Sequence, residues 1–323
     1  MSRKTIKLRF VDAYSGFKPE ESAIYKAIRE SFDIVLCDDP DYIITQPYGH
    51  EHLKYDCIKI FYTGENVTPD FNLYDYAIGF DYLSFGDRYV RVPLWAIRQS
   101  FRDFHGDDCP SDDELLNRGF CSFVVSNSRG NPIRARFFRE LSKYKKVDSG
   151  GWHLNNVGGP VKDKLSFISR YKFNIAFENS DYPGYTTEKI AEPFLTHTIP
   201  IYWGDPLVER DFTPQSFIRL ESEDDIERVI EVIISLDKDD SAYLTMCKTP
   251  CLVNPDRDFY WKQLVQFMKS IFEQPQEKAR RLTPYGYQGV FYKARQKKAF
   301  ATYDMANMPL NLYRRIRKMF RGI

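Results

Sequence analysis

The densest group of polar and aromatic side chains lies between Phe177 and Lys189. A strand is predicted to end near Phe177, a Pro-Gly turn follows, and a helix is predicted to begin at Thr186 or Thr187. The first amides of a helix have no partner within it, so this helix start is a candidate anion site. Lys189 adds a flexible positive charge suited to a diphosphate, and Glu188 can accept hydrogen bonds from sugar hydroxyls. An ordinary helix start, with its charged pair in solvent, is the alternative that remains open.

Arg134 is a second candidate for binding phosphate. Asn131 followed by Pro132 is typical of a helix start, and it comes shortly after a predicted strand. A guanidinium in the first turn of that helix could bind the same phosphates through two hydrogen bonds. The alternative is an arginine on the solvent face of an amphipathic helix. Three nearby arginines could serve instead: Arg129, Arg136 and Arg139.

Glu65 is a candidate general base. It follows a predicted strand that ends near Tyr62, in the segment Tyr-Thr-Gly-Glu-Asn of residues 62–66. A carboxylate at the mouth of a strand can face a ligand cleft and remove a proton from a bound hydroxyl. The alternative is a solvated loop charge.

Two short motifs are weak candidates for metal sites. Residues 50–52 (His-Glu-His) lack the i, i+4 histidine spacing of a helical zinc site. Residues 39–41 (Asp-Pro-Asp) form an Asp-x-Asp motif, but a strand resumes at Tyr42, which favours a turn. Neither a P-loop nor a G-x-G-x-x-G motif occurs, so ordinary NTPases and dinucleotide enzymes lose their main support.

Strands and helices alternate along most of the chain, and this order predicts parallel sheets. In the first part, strands are predicted at residues 6–11, 34–37, 57–62, 77–80 and 121–125, with a helix from Pro19 to Phe32. The second part has strands at residues 173–177 and 198–202 around a helix that starts near Thr187. We therefore expect an α/β protein with two doubly wound halves and a ligand cleft between them. The predicted boundaries are residues 1–150, 151–290 and a basic tail, 291–323, with the first boundary at the glycines near residue 150.

The composition excludes several classes of protein. The chain has 323 residues with 46 Lys and Arg against 45 Asp and Glu, and a net charge of +1 provides no field for binding nucleic acid. A hydrophobic share of 43% with 28% charged residues describes a folded chain, which excludes a disordered one. The six cysteines show no C-x-x-C pair, so we expect reduced thiols.

The far end of the chain differs from the rest. Residues 309–323 carry five Arg and Lys and no acidic residue, with apolar residues at helical spacing. This pattern predicts a helix that lies on an anionic membrane surface, and the alternative is a basic tail that folds back or stays disordered. No segment has the roughly 20 apolar residues that a membrane span needs. We therefore expect a cytoplasmic protein, with peripheral attachment to the inner face of a membrane through this tail.

The motifs together resemble the bacterial α-1,3-fucosyltransferases of glycosyltransferase family 10. The resemblance covers roughly residues 5–275 and lies in residues 62–66, 75–81, 177–180, 185–189 and 199–204. It implies a GT-B fold, with an N-terminal acceptor domain and a C-terminal domain that binds GDP-fucose. It also implies that no metal or other cofactor is required, with GDP-fucose a substrate.

The resemblance further implies roles for single residues. Glu65 matches the family's proposed catalytic base. Glu188 is expected to hold hydroxyls of the donor at the reacting centre, and Glu178 to support the site. Five residues match or adjoin donor-binding positions: Arg134, Asn179, Tyr185, Glu188 and Lys189.

The implied reaction is an inverting transfer of fucose from GDP-fucose to O3 of N-acetylglucosamine, or of glucose, in a lactosamine-type acceptor. Such a product belongs to Lewis-type glycans. The alternatives are a GT-B transferase with another sugar nucleotide and a carbohydrate-binding protein without turnover. The seven-residue repeats that precede the basic tail of some bacterial members are absent from residues 275–308, which favours a monomer.

Overall fold

The computed structural model describes residues 3–104, 109–283 and 285–320, with side chains described up to residue 308. The chain forms two compact units. The first contains Met1–Ile78, Phe85–Val90 and Val265–Ile323, and the second contains Gly79–Ser84 and Arg91–Leu264.

A six-stranded sheet forms the centre of the first unit, in the order β2-β1-β3-β4-β5-β6. Its strands are β1 (Thr5–Val11), β2 (Asp33–Leu36), β3 (Tyr42–Thr45), β4 (Ile58–Tyr62), β5 (Tyr76–Gly79) and β6 (Tyr89–Arg91). The pairs from β2 to β5 are parallel. Helix α1 (Ala23–Arg29) is capped by Ser22 and buries Ile24 and Ile28, as its apolar period predicts.

The second unit contains a five-stranded sheet whose strand pairs are all parallel, in the order β11-β10-β9-β7-β8. Its strands are β7 (Gly119–Phe123), β8 (Val147–Ser149), β9 (Tyr171–Phe177), β10 (Ile199–Trp203) and β11 (Ile218–Arg219). All seven residues of β9 are buried, as expected for a strand in the middle of a parallel sheet with both faces covered.

Helices connect the strands and complete both units. They are α2 (Gln99–Arg102), α3 (Asp112–Leu116), α4 (Ile133–Leu141), α5 (Lys164–Ile168), α6 (Glu188–Phe194), α7 (Ile226–Lys238), α8 (Asp240–Lys248), α9 (Phe259–Phe272), α10 (Gln276–Ala279) and α11 (Tyr287–Phe320). Short 3-10 turns lie at Pro19–Glu21, Glu51–Lys54, Leu94–Ile97, Val208–Arg210, Pro214–Ser216 and Glu223–Asp225. Among the described residues, no helix is long and apolar enough to cross a membrane.

The structure corrects the predicted domain boundary near residue 150. Strands β7 and β8 belong to the second sheet, where Cys121 pairs with Phe173 and with Val147. The alternation of strands and helices continues without a break across both units, so periodicity alone cannot tell which sheet a strand joins.

The predicted C-terminal limit at residue 290 is wrong as well. The chain returns to the first unit at Val265, where Phe272 packs edge-on against Tyr42 at a ring distance of 4.8 Å. Asp75 fixes this return, because its buried carboxylate accepts hydrogen bonds from the backbone amides of Arg281 at 2.8 Å and Leu282 at 2.7 Å. Helix α11 therefore begins inside the first unit.

The side chains of the predicted basic tail, residues 291–323, are described as far as residue 308. The backbone of residues 309–320 continues helix α11, as the spacing of apolar residues predicts, whereas residues 321–323 lie outside the described part of the chain. In the described half of this helix, Tyr292 donates a hydrogen bond to Asp70 at 2.6 Å, and His50 stacks on Phe300 at 4.8 Å.

Candidate active site

Three loops of the second unit meet at the carboxyl edge of its sheet. They follow β7, β9 and β10, which are neighbours in the sheet. In doubly wound sheets, ligands bind at this edge because the loops there converge from adjacent strands. The backbone amide of Asn131 donates to the carbonyl of Asn179 at 2.8 Å, which joins the first loop to the second.

A buried carboxylate organises the loop after β9. Glu178 has no exposed surface, and its Oε1 accepts hydrogen bonds from the amide of Thr187 at 2.7 Å and from the Thr187 hydroxyl at 3.0 Å. The hydroxyl also lies 2.7 Å from Oε2. The Nζ of Lys189 lies 3.2 Å from the same Oε2. Since a buried charge is costly unless it is paired, these contacts hold the start of α6 against the end of β9.

The two charges shift each other's ionisation. Burial raises the pKa of the Glu178 carboxyl, and the ammonium of Lys189 opposes that rise. Burial alone would lower the pKa of Lys189, but the Glu178 carboxylate outweighs it, and the pKa of the ammonium is raised. Glu178 and Lys189 thus form an ion pair inside the loop.

This pairing corrects one expectation for the helix start. The amides of Thr187 and Lys189, which were expected to bind an anion, already have partners in Glu178 and the Thr187 hydroxyl. The side chains of Glu188 and Lys189 are only 21% and 18% exposed, so the alternative of a charged pair in solvent is wrong. Burial would raise the pKa of Glu188, but the charges of Lys189 and Lys164 lower it, and the carboxylate is ionised at neutral pH.

Arg134 is buried, contrary to the alternative of a surface arginine. It is 1% exposed, in the first turn of α4, and its Nη1 donates to Oδ1 of Asn179 at 2.7 Å. Its Nη2 donates to the carbonyl of Asn127. Its Nε is buried and has no hydrogen-bond partner among the described residues. Burial lowers the pKa of Arg134, although a guanidinium keeps its proton in proteins.

A glycine makes room for this guanidinium. A Cβ atom at Gly130 would lie 2.4 Å from Cζ of Arg134, so no larger residue fits there without moving the arginine. The side-chain oxygen of Asn131 accepts from the amide of Ile133 at 3.0 Å, which satisfies the helix start as the sequence predicts, although α4 begins at Ile133.

The turn that carries Tyr185 is fixed by a residue that the sequence analysis missed. Asp205, which is 2% exposed, accepts from the amide of Gly184 and the hydroxyl of Thr186, both at 2.7 Å. Gly184 has a φ of +88°, which glycine adopts without strain. Tyr185 is buried and packs against Phe80 at a ring distance of 5.1 Å. Only the short Asp-Pro turn after β10 hinted at the role of Asp205.

Glu65 lies in the first unit, directly after β4. It is exposed, and the Tyr48 hydroxyl donates to its Oε1 at 3.0 Å. Its own amide donates to the Thr63 hydroxyl at 2.9 Å, and that hydroxyl donates to the Glu65 carbonyl at 3.0 Å. The turn therefore holds Glu65 at the carboxyl edge of the first sheet, with its carboxylate in reach of solvent.

The five candidate donor-binding residues all lie in the second unit, around the carboxyl ends of β7 and β9. Arg134 and Asn179 are joined by a hydrogen bond, and Glu188 and Lys189 by charge. Tyr185 lies in the connecting turn. Glu65 belongs to the first unit, on the loop after β4.

The two short motifs that were weak candidates for metal sites lie in the first unit and not on the loops of the second sheet. His52 is buried, and its Nδ1 lies 2.6 Å from Asp12, whereas Nε2 of His50 lies 2.7 Å from Asp304. Residues 39–41 form the turn between β2 and β3. The described residues contain no group of three His, Cys, Asp or Glu side chains that could hold a metal ion.

A double-mutant cycle tests the buried ion pair. We expect Glu178→Gln and Lys189→Met to couple by about 2 kcal/mol in the free energy of unfolding, because each single variant leaves the other charge buried without its partner. The coupling needs both charges, so it should be lost at low pH as Glu178, whose pKa burial raises, takes up a proton, and lost again as the pH rises through the raised pKa of Lys189.

Glu140 and Lys143 form the control pair in the same unit, since their side chains are 38% and 71% exposed. Their coupling should stay below about 0.5 kcal/mol, as is usual for surface ion pairs. Urea unfolding followed by tryptophan fluorescence measures both cycles. Equal coupling in the two pairs would contradict the organising role of Glu178.

Comparison with known proteins agrees with the fold. Two family models match: the α-(1,3)-fucosyltransferase FucT N-terminal domain over residues 8–98, and the glycosyltransferase family 10 (fucosyltransferase) C-terminal region over residues 117–276. The two matches are separated by residues 99–116, which agrees with the structure and not with a boundary at residue 150. The second match contains Arg134 and the whole 178–189 loop.

A curated relative is the α-(1,3)-fucosyltransferase FucT of Helicobacter pylori, 36% identical over 299 residues. The match covers 79% of this chain, and the chain spans about three-fifths of the relative's length, 62%.

Two crystal structures of α1,3-fucosyltransferase are similar to most of this chain. The one solved with GDP-fucose has a TM-score of 0.73 and 32% identity, over 85% of this chain and 92% of that chain. The other has a TM-score of 0.76 and 33% identity, over 84% and 91% of the two chains. The predicted α/β fold of the GT-B class and the predicted resemblance are both confirmed. The chain belongs to glycosyltransferase family 10, the fucosyltransferases.

Proposed function

We propose that this protein is an inverting α-1,3-fucosyltransferase that moves fucose from GDP-fucose to O3 of N-acetylglucosamine or glucose in a lactosamine-type acceptor, for Lewis-type glycans. The carrying observation is the buried guanidinium of Arg134, whose Nε has no partner among the described residues. The guanidinium donates to Asn179, which with Glu178 directly follows β9. The names of the Helicobacter relative and of the crystal structure with GDP-fucose support the donor.

The donor's diphosphate is assigned to Arg134 and Lys189. A lysine ammonium has three N–H donors, and two of them serve Thr187 at 3.1 Å and Glu178 at 3.2 Å. Its distance to Glu188, 3.7 Å, is longer than a hydrogen bond, so the third N–H can bind a phosphate oxygen. Glu188 accepts hydrogen bonds from fucose hydroxyls, while Asn179 and Tyr185 complete the donor contacts. With two fixed cations at the phosphates, the reaction requires no metal.

The reaction is a single displacement. The acceptor O3 forms a bond to C1 of fucose while the bond between C1 and the β-phosphate oxygen of GDP breaks, which inverts the configuration at C1. The proton of the O3 hydroxyl passes to the carboxylate of Glu65. Negative charge that develops on the leaving diphosphate is stabilised by Arg134 and Lys189, which are in place before the reaction.

The C-terminal half of α11 is proposed to bind an anionic membrane surface on the cytoplasmic side. The support is its sequence, since residues 309–323 carry five Arg and Lys and no acid. Each basic residue near such a surface contributes about 1 kcal/mol. We expect the full chain to sediment with phosphatidylglycerol vesicles at low salt but not with neutral phosphatidylcholine vesicles. A chain that ends at residue 308 should stay in the supernatant, and binding to neutral vesicles or by the shortened chain would contradict the proposal.

Glu65→Gln should separate donor binding from turnover. The kcat of GDP release from GDP-fucose, measured with N-acetyllactosamine as acceptor, should fall by a factor of ~10² to 10⁴, because the glutamine amide cannot accept the proton. The affinity for GDP-fucose, measured by calorimetry, should not change. The wild-type rate should be the same with and without EDTA.

Glu20→Gln is the matched control, since Glu20 is an exposed carboxylate of the same unit, and it should retain the wild-type rate. If Glu65→Gln keeps the wild-type kcat, Glu65 is not the general base. If EDTA abolishes the activity of the wild type, the reaction requires a metal ion and the metal-free mechanism is wrong. If wild-type protein releases no GDP with any acceptor, other sugar nucleotides and then a binding role without turnover become the alternatives.

A further inference from the structure

Glu65 lies at the end of a row of four aromatic rings, of which the two tyrosines are exposed and the two phenylalanines are half-buried. Tyr14 and Tyr48 pack edge to face at 6.0 Å, and Tyr14 packs against Phe17 at 5.5 Å. Phe10 continues the row, 5.5 Å from Phe17. We call these four residues the aromatic platform. At the other end, the Tyr48 hydroxyl donates to Oε1 of Glu65 at 3.0 Å.

The two tyrosines are exposed, unlike the tyrosines in the core of the same unit. Tyr14 is 54% exposed and Tyr48 is 50% exposed, whereas Tyr42, Tyr74 and Tyr76 of the same unit are each less than a tenth exposed. Since burial of an aromatic ring is a large source of stability, folding alone gives no reason to leave these two rings in solvent. A group of neighbouring exposed rings is characteristic of a surface that binds something else.

The position of the platform in the sheet is that of a ligand site. Its rings and Glu65 lie on or beside the loops after β1, β3 and β4, three neighbouring parallel strands. Those loops leave the carboxyl ends of the strands, which is where doubly wound sheets bind their ligands.

Asp12 holds the first two of these loops together. It is the residue directly after β1, and its backbone has a φ of +58°, in a region that non-glycine residues rarely adopt. Its carboxylate accepts from the Thr45 hydroxyl at 3.1 Å, from the amide of His52 at 3.0 Å and from His52 Nδ1 at 2.6 Å. Its backbone carbonyl accepts from the amide of Tyr48 at 3.1 Å. The buried carboxylate and the backbone of Asp12, whose φ is unfavourable, therefore fix the part of the loop that places Tyr48 beside Glu65.

The chemistry of the platform fits a sugar ring. A pyranose has a face of C–H groups that packs on an aromatic ring, and hydroxyls at its edge that donate to a carboxylate or bind a tyrosine hydroxyl. Partial burial of the Tyr48 side chain raises the pKa of its hydroxyl, and the neighbouring Glu65 carboxylate raises it further, so the hydroxyl keeps its proton and remains a donor.

We propose that Tyr14 and Tyr48 form the subsite that holds the acceptor sugar against Glu65: Tyr14 supplies the stacking surface, and the Tyr48 hydroxyl orients the Glu65 carboxylate. This inference rests on the proposed fucosyl transfer. Tyr14 thus governs acceptor binding, whereas Tyr48 is a positioning residue for the proton transfer.

The two roles predict different kinetic defects. Tyr14→Ala should raise the KM for N-acetyllactosamine about tenfold with kcat retained, the size expected for one lost ring contact. Tyr14→Phe should retain the wild-type KM because the ring remains. Tyr48→Phe should lower kcat about tenfold with the acceptor KM retained, since the ring stays and only the hydrogen bond to Glu65 is lost.

A binding measurement that needs no turnover completes the test. Saturation-transfer-difference NMR with N-acetyllactosamine and GDP should show contact with the wild-type protein and with Tyr48→Phe, and little contact with Tyr14→Ala. Tyr303→Ala is the matched control, because Tyr303 is 63% exposed on α11 of the same unit. It should behave as wild type in both measurements with these soluble substrates.

The outcomes separate this inference from the proposed function. If the wild type transfers fucose but Tyr14→Ala keeps the wild-type KM and NMR contact, the platform is not the acceptor subsite and the transferase proposal stands. If Tyr48→Phe keeps the wild-type kcat, the orienting role is wrong. If the wild type neither transfers fucose nor contacts the lactosamine, the proposed function and this inference both fail.

Discussion

The second unit's site depends on one buried carboxylate. Glu178 sits at the end of a fully buried strand and has no exposed surface, so the fold must supply donors for it. Thr187 and Lys189 supply them, and in doing so they bring the start of α6 back to the end of β9. The same strand end places Asn179 where it accepts from Arg134. Two cations are thereby fixed before any ligand binds, which would lower the cost of ordering them around the proposed diphosphate.

Much of the fold follows from hydrophobic periodicity in the sequence. The apolar run 171–177 and the stripe of Ile133, Phe137 and Leu141 are buried as their spacing predicts. The domain boundary does not follow from periodicity, because β7 looks like one more strand of the preceding sheet. Its place is decided by pairing with β9, which lies some 50 residues further on. The return of α9 and α10 to the first unit is likewise fixed by long-range contacts such as those of Phe272.

The sequence predicted candidate residues that the fold brings to one sheet edge, but it did not predict their contacts. Residue type and spacing pointed to Arg134, Glu188 and Lys189, and all three lie at one sheet edge. The expected free amides of the helix start were wrong, since a side chain nine residues earlier, Glu178, takes the amide of Thr187. Long-range hydrogen bonds of this kind, and the support from Asp205, leave no local pattern in the sequence. The pairing of Tyr48 with Glu65 was missed for the same reason.

The most direct test of this account is the affinity for GDP of Arg134→Lys, measured by isothermal titration calorimetry on protein whose circular dichroism spectrum matches that of the wild type. Arg136→Lys is the control two residues along the same helix, where the arginine is exposed and pairs with Glu223 at the surface. We predict that Arg134→Lys weakens GDP binding at least about tenfold, because a lysine cannot replace the forked contacts of the guanidinium, and that Arg136→Lys has no effect. Equal affinity for GDP in both variants and the wild type would contradict the assignment of the diphosphate to this site.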